Sequence, residues 1–490
     1  MKSRGWRRVL AIAALLCLLY IVLLFPARAP SIPPTPENHP FIWNRDAYWS
    51  QLESRFKEAR SAGCANLSSS IAAGFSREDS LLKQMQTDTL QPEAPVFDEM
   101  ERALFALSTN LGACPERLPD YIRTFSAIRT AIKDQSSRWD MNSPAARDCI
   151  YKLLYGGRTA VEEVMLQALP GAVPEVVLEN AEPSATPATR ILGVTIHSGD
   201  ILVSRGGAPT SALIARGNDY PGNFSHIALV YVDSTGGKVS IIESHIEKGV
   251  AIATIDDYLR DTKLRIMVLR LRSDLPAMRA DPMLPHKAAT YALARAKDKH
   301  IAYDFAMDTE DPSQLFCSEV VSDGYRHVGV KLWDGLSHIS SFGVKSWLAA
   351  FGVRNFTTEE PSDLEYDPQL RVVAEWRDYE TLRKDRLDNA VVDVMLEGAE
   401  RGEPLKYDWY LLPLARIMKG YSVILNQFGK FGPVPEGMSA AGAARNKWFS
   451  RRHAAIKEKL RVLAQQFQQE YGYWPPYWDL IKLARQAASQ

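Results

Sequence analysis

Three residues in the middle of the chain have the types that acyl transfer through a thiol requires. Cys317 stands in "LFCSEVV", His226 opens "HIALVYV", and Glu243 stands in "VSIIESH". A nucleophilic cysteine attacks as the thiolate, and a free thiol with a pKa of about 8.5 is mostly protonated near neutral pH. It therefore needs a positive neighbour or a helix N-terminus. "CSEVVSDGYRHVG" carries Val320, Val321 and Tyr325 at helical spacing, without proline and with Gly329 as a stop, which puts Cys317 in the first turn of a helix. The unpaired backbone N–H groups of Cys317 and Ser318 in such a turn are candidate oxyanion donors.

The proton acceptor is expected at His226, about ninety residues upstream at the start of an apolar run. A third group must fix the ring's tautomer. Glu243 shares a strand face with Val239 and Ile241 by the two-residue period, and a carboxylate at the end of an apolar face demands a partner. His226 is the obvious one. His245 and Glu247 are alternatives for orienting the ring, and His286, His300 and His327 have weaker claims. A zinc site from Cys317, His226 and His245 lacks any C-x-x-C or H-x-x-x-H spacing. Taken singly, each residue also has an ordinary reading: a small buried thiol, a satisfied strand histidine, a structural carboxylate.

The elements that must hold these residues follow from the patterning. Runs beginning at Asp200, His226, Lys238, Gly249 and Arg265 are short and β-rich, and "DSTGGK" between the second and third is a hairpin signal, so an antiparallel sheet or barrel is expected. A helix from about Pro282 to Lys297 and the Cys317 helix complete a central unit over 191–355. On its N-terminal side, 44–169 reads as a helical bundle, with stripes at Tyr48, Leu52, Phe56 and Ala59 and at Phe97, Met100, Leu104, Leu107 and Leu111. The charges of the bundle read as solvated faces, and 170–190 reads as a linker. Beyond, 356–490 reads as helical, with a stripe at Ile456, Leu460, Leu463, Phe467 and Tyr471 and an aromatic stretch "YGYWPPYWDL" that packs a terminal helix or forms a platform for a sugar or partner. The expected class is α+β.

The chain's 490 residues carry 58 basic and 58 acidic side chains, so no global field attracts a polyanion and nucleic acid is not an expected partner. Val9 to Phe25 is an unbroken apolar run behind Lys2, Arg4, Arg7 and Arg8, which predicts a signal anchor over 1–26: a single-pass inner-membrane protein with its body in the periplasm or cell exterior. Cleavage after Ala27-Arg28-Ala29 is disfavoured by Pro30. A proline-rich spacer over 27–43 would hold the body about 40 Å away. Cys64, Cys114 and Cys149 allow at most one disulfide within the bundle, with Cys64 and Cys114 the expected pair. No cofactor or metal is expected.

Taken together, "GDILVSRG", "SHIALVY", "IIESH", "YDF" at Tyr303 and "FCSEVV" resemble the permuted papain-like cysteine hydrolases of the NlpC superfamily, the YiiX/YebB-like branch. The order His226, Glu243, Cys317 is that of the circularly permuted enzymes. The resemblance covers about Gly193 to Ala350. It implies Cys317 as nucleophile, His226 as general base and Glu243 as the group that orients it. Asp200 and Asp304 fall in the same motifs and read as turn or strand-end residues. The resemblance implies an amide hydrolase with cell-wall peptides as the first expected substrate; the alternatives are a lipid-directed amidase, thioesterase or acyltransferase, and a non-catalytic scaffold.

Overall fold

The computed structural model describes residues 2–25, 32, 40–43, 46–179, 181–235 and 237–489. The spacer expected over 27–43 lies largely outside the described residues. Helix α1 (Lys2–Leu24) is followed by α2 (Asp46–Ala62), α3 (Cys64–Thr87), α4 (Pro95–Ala113), α5 (Leu118–Ser136), α6 (Pro144–Tyr151) and α7 (Gly157–Gln167). A π-helical turn, Lys152–Gly156, joins α6 to α7. Strands β1 (Val176–Leu178), β2 (Ala188–Ile191), β3 (Val194–His197) and β4 (Ile201–Gly206) come next, then α8 (Pro209–Arg216). After these come β5 (His226–Val232), β6 (Val239–His245), β7 (Gly249–Ala253), α9 (Ile255–Arg260), β8 (Lys263–Leu271), α10 (Pro276–Ala280), α11 (Leu284–Asp298) and α12 (Cys317–His327). The remainder is β9 (Ser337–His338), α13 (Phe342–Phe351), β10 (Thr357–Thr358), α14 (Asp363–Tyr366), β11 (Leu370–Trp376), α15 (Tyr379–Glu400), α16 (Leu412–Gln427), α17 (Ala440–Tyr471) and α18 (Tyr477–Ser489).

Helices and sheet are thus mixed, as expected, but the sheet is open. Seven strands run in the order β1-β11-β8-β4-β5-β6-β7, all antiparallel, with β1 and β7 at the two ends and, among the described residues, no closed barrel. The two-residue period divides its side chains between two cores. Ile201, Val203, Ile227, Leu229 and Ile242 pack with Ala288, Val320 and Tyr325 of α11 and α12, whereas Leu202, Ala228, Val230 and Ile241 pack with Ile196 and Tyr258 on the other face. Two strands of the seven-stranded sheet arise outside the expected central unit. β1 lies in the stretch read as linker, and β11 lies in the stretch read as helical, yet β11 pairs with β8 and carries β1.

Several charges of α5 and α7 do not face solvent. Arg265 of β8 donates to Glu162 of α7 at 2.6 Å and to Asp385 of α15 at 2.5 Å, Arg158 meets Glu365 at 3.0 Å, and Arg129 pairs with Glu375 of β11. All are buried. Ions this deep persist only when paired, and here the partners of the bundle's charges lie in the sheet, α14 and α15. Cys64 and Cys114 form a disulfide, with Cα atoms 5.1 Å apart.

The anchor is overturned. Among the described residues, no helix is long and apolar enough to cross a membrane. The apolar part of α1, Val9–Leu24, rises only about 24 Å, short of the roughly 30 Å of a bilayer's hydrocarbon core. α1 instead lies against α16: Arg416 donates to the carbonyls of Leu23 and Phe25, both at 2.7 Å, and the Tyr20 hydroxyl donates to Tyr410 at 3.3 Å. The single-pass inner-membrane placement, with the body in the periplasm, falls with the anchor that it rested on.

Candidate active site

Strand register places the histidine and the glutamate. Ala228 of β5 lies opposite Glu243 of β6, so His226, two residues earlier on the same face, is its diagonal neighbour. The small Ala228 side chain leaves the space between them to the imidazole. His226 Nε2 lies 2.7 Å from Glu243 Oε2, and His245 Nε2 lies 2.9 Å from Glu243 Oε1. One carboxylate thus holds two imidazoles, whose rings stack 5.4 Å apart. Burial pushes Glu243 up, but hydrogen bonds from His226 and His245 outweigh it and hold the carboxyl well below the usual carboxylate range. Burial lowers His226 below its ordinary value, against the opposing pull of Glu243, so the ring is neutral near pH 7.

Cys317 is the first residue of α12. Phe316, with an extended backbone, precedes it, and the Glu319 carboxyl reaches back to accept the Phe316 N–H at 2.9 Å. Glu319 is pushed up to about 9, chiefly by burial. The approach to the helix is tied to the sheet, since the Ser244 hydroxyl of β6 donates to the Leu315 carbonyl at 2.6 Å and Leu315 N–H to Ala302 at 3.0 Å. Cys317 therefore sits beside the end of β5, within reach of the Ile227 N–H. It is 6% exposed. Burial pushes its thiol up to about 12, with the Ile227 and Ser318 donors pulling the other way and the Glu360 carboxyl reinforcing burial. This shift runs against a standing thiolate near neutral pH: desolvation of the anion outweighs the helix terminus.

Two adjoining cavities meet at Cys317. One, of about 150 Å³, is lined mainly by apolar side chains, among them Leu213, Phe305, Ile339, Phe351 and Met438. The other, of about 470 Å³, is the more polar of the two and holds His226, Glu243, His245, Asp257 and Lys263. Thr210, Ile214, Ser225, Tyr303 and Cys317 border both. The three residues singled out from the sequence thus face one cleft. Glu247 borders it as well, and His245 is the second imidazole on Glu243.

The other histidines are engaged elsewhere: His286 with Ser198 at 2.8 Å, His300 with Glu436 at 2.6 Å, and His327 stacked on Tyr291. Asp200 accepts two hydrogen bonds from Arg270, each 2.8 Å, and Asp304 accepts the Ala306 N–H at 2.7 Å, so both hold the backbone as expected. Among the described residues, the donor atoms of His226, Glu243 and His245 lie within 4.8 Å of one another, a set that could hold a metal ion and that does not include Cys317. Sequence reading missed Glu359, Glu360, Pro435 and Met438 as cleft walls. They carry no local pattern, and only the return of the chain beyond β10 brings them in. Tyr303, which stands in a quoted motif, went unassigned; its phenol stays protonated through burial and the nearby Cys317.

No curated protein matches the chain. Among solved structures, the crystal structure of the metalloprotein yiiX from Escherichia coli O157:H7 aligns over 37% of this chain and 97% of that one, at 18% identity and a TM-score of 0.29. Residues 195–374, from β3 into β11, match the family of permuted papain-like amidase enzymes, YaeF/YiiX, C92.

Proposed function

We propose that the chain is a cysteine amide hydrolase in which Cys317 is the nucleophile, His226 the general base and Glu243 the group that sets the imidazole. The observation that carries this reading is the 2.7 Å contact of His226 Nε2 with a buried, ionised Glu243 in the cleft that Cys317 borders. A carboxylate accepts only from an N–H, so His226 carries its proton on Nε2 and leaves Nδ1 with a lone pair. As Cys317 Sγ attacks the substrate carbonyl, its proton passes to Nδ1. The N–H groups of Cys317 and Ser318, with the Tyr303 hydroxyl, are the donors available to the oxyanion. The imidazolium returns the proton to the departing amine, and a thioester remains on Cys317. His226 then deprotonates water, which releases the acid and the free thiol.

The two cavities bear on the substrate. An apolar pocket and a polar one meeting at the nucleophile suit an acyl group with a hydrocarbon body and a polar leaving amine, which favours the lipid-directed reading over cell-wall peptides. The test is to incubate the protein with N-acyl amines of graded chain length and with wall peptides, and to follow the acyl-enzyme by intact mass. The expected result is an acyl adduct on Cys317 from the N-acyl amines, absent in Cys317→Ala. Unchanged turnover in Cys317→Ala rejects the thiol mechanism; turnover of wall peptides alone rejects the acyl preference.

A further inference from the structure

A third cavity, of about 350 Å³, lies away from Cys317, between the N-terminal helices and the last helix. Its walls are aromatic: Trp43, Trp49 and Phe56 from the start of the chain's described body, Phe105 of α4, and Tyr477 and Trp478 of α18. The volume falls within the range of about 300–1,000 Å³ usual for small-molecule sites. Tyr155 and Gly156 of the π-helical turn also line it, and such turns recur at functional sites. Gly156 is there for space, since a Cβ would come within 2.9 Å of the Trp43 ring and 3.1 Å of Phe105.

Several polar atoms bordering this cavity lack partners, and most of these are acceptors. Thr159 Oγ1, Gln167 Oε1 and Trp478 Nε1 make no hydrogen bond. Glu163 keeps 19% exposure, and its nearest cation, Arg386 Nη2, is 3.5 Å away and also serves Glu162 at 3.3 Å. Burial, reinforced by Glu162, raises Glu163 above its ordinary value more than Arg386 and the Tyr477 backbone N–H lower it, so the carboxylate is under-compensated. The other carboxylate there, Asp393, is taken by Arg216 at 2.8 Å and 3.0 Å and by the Tyr477 hydroxyl at 2.7 Å.

We propose that this cavity is a binding site for an organic ammonium with an apolar body, its cationic head held by Glu163 and the Gln167 oxygen and its body by the aromatic walls. Aromatic faces attract a cation as well as hydrocarbon, and acceptors without donors select a head that brings N–H groups or positive charge. The site adjoins the catalytic cleft through one element. Arg216 ends α8 and forms part of this cavity, whereas Thr210, Leu213 and Ile214 of the same helix line the cleft that holds Cys317.

The test uses the full chain with octylammonium, octanol and octanoate below their aggregation limits, read by quenching of tryptophan fluorescence and by native mass spectrometry. One octylammonium is expected to bind per chain, about tenfold more tightly than octanol, the ratio that one moderate charge and cation–π contribution supplies. Octanoate is expected to bind more weakly than octanol. Glu163→Gln should abolish the preference for the cation, and Ser108→Leu, which fills the cavity from α4, should abolish binding of both probes, each with its melting temperature checked. Alkylation of Cys317 should leave binding unchanged. Equal binding of the three probes, a preference that survives Glu163→Gln, or loss of binding on Cys317 alkylation would overturn the proposal.

Discussion

The protonation state of Cys317 can be read from the pH dependence of its reaction with a small aromatic disulfide. With the thiol pushed up to about 12, the thiolate fraction at pH 7 is on the order of 10⁻⁵. A cysteine in a short peptide, with a pKa of about 8.5, has a fraction of about 0.03, a difference of about 3.5 logarithmic units. The more basic thiolate is intrinsically the better nucleophile, and a Brønsted coefficient of about 0.45 returns roughly 1.6 of those units. Cys317 should therefore react about a hundredfold more slowly than the peptide at pH 7, before any steric hindrance. Its rate should rise about tenfold per pH unit up to pH 10, with no plateau. Labelled peptides are resolved by mass, because Cys149, also free and buried, must be followed separately. Turnover should behave differently: it should be flat from pH 7 to 9 and fall only on an acid limb below 6.5, because burial lowers His226 and its neutral form must be present to take the proton. A disulfide rate that plateaus below pH 8.5 would establish a standing thiolate–imidazolium pair and refute the reasoning.

Further outcomes are expected. Glu243→Gln should cut kcat by a factor on the order of 10² to 10⁴, because an amide cannot accept from both His226 and His245 and one ring must turn to the wrong tautomer; kcat within threefold of the parent would remove Glu243 from the orienting role. Replacing Cys64 and Cys114 by alanine opens a 50-residue span and should cost about 2–4 kcal/mol in urea unfolding, with catalysis of the folded enzyme unchanged. Burial pushes Glu162 up, but Arg265, Arg386 and Arg377 outweigh it and hold it down at about 2. Its contribution to stability is then present above its unfolded pKa of about 4.3 and lost as pH falls through about 2. Arg265→Met strands Glu162 and Asp385 and should destabilise by about 3–5 kcal/mol, and an unchanged denaturation midpoint would show that the buried ions are dispensable.

Which features were legible in the sequence follows from the range of the forces that create them. The β5–β6 hairpin, the start of α12 at Cys317 and the pairing of Cys64 with Cys114 rest on patterns a few residues wide or on thiol arithmetic, and each is found. β11 was missed because "LRVVAEW" acquires its strand identity from β8 and β1, which flank it in space and not in the chain. Arg129, Arg158 and Glu162 were read as solvated because helical periodicity separates faces without saying what covers the charged one. The anchor failed on length: the apolar run does form a helix, but one too short to cross a bilayer, and α16 touches it while leaving most of its apolar side chains exposed.

Cys317 shows the same limit in its chemistry. A thiol at a helix N-terminus beside a histidine strand implies a thiolate only if water reaches it, and exposure is a property of the whole fold. Here parts of the segment 302–316, α8 and the walls from Glu359 to Pro361 line the cleft beside Cys317, which is only 6% exposed. The same desolvation raises the thiol and lowers His226, so both shifts favour the uncharged pair over the charged one. In the proposed reaction, proton transfer would wait for a carbonyl that can take up the developing charge, with the N–H groups of Cys317 and Ser318 and the Tyr303 hydroxyl to receive it. Such a site would give up resting nucleophilicity and keep its thiol intact between turnovers, since oxidation and disulfide exchange also proceed through the thiolate.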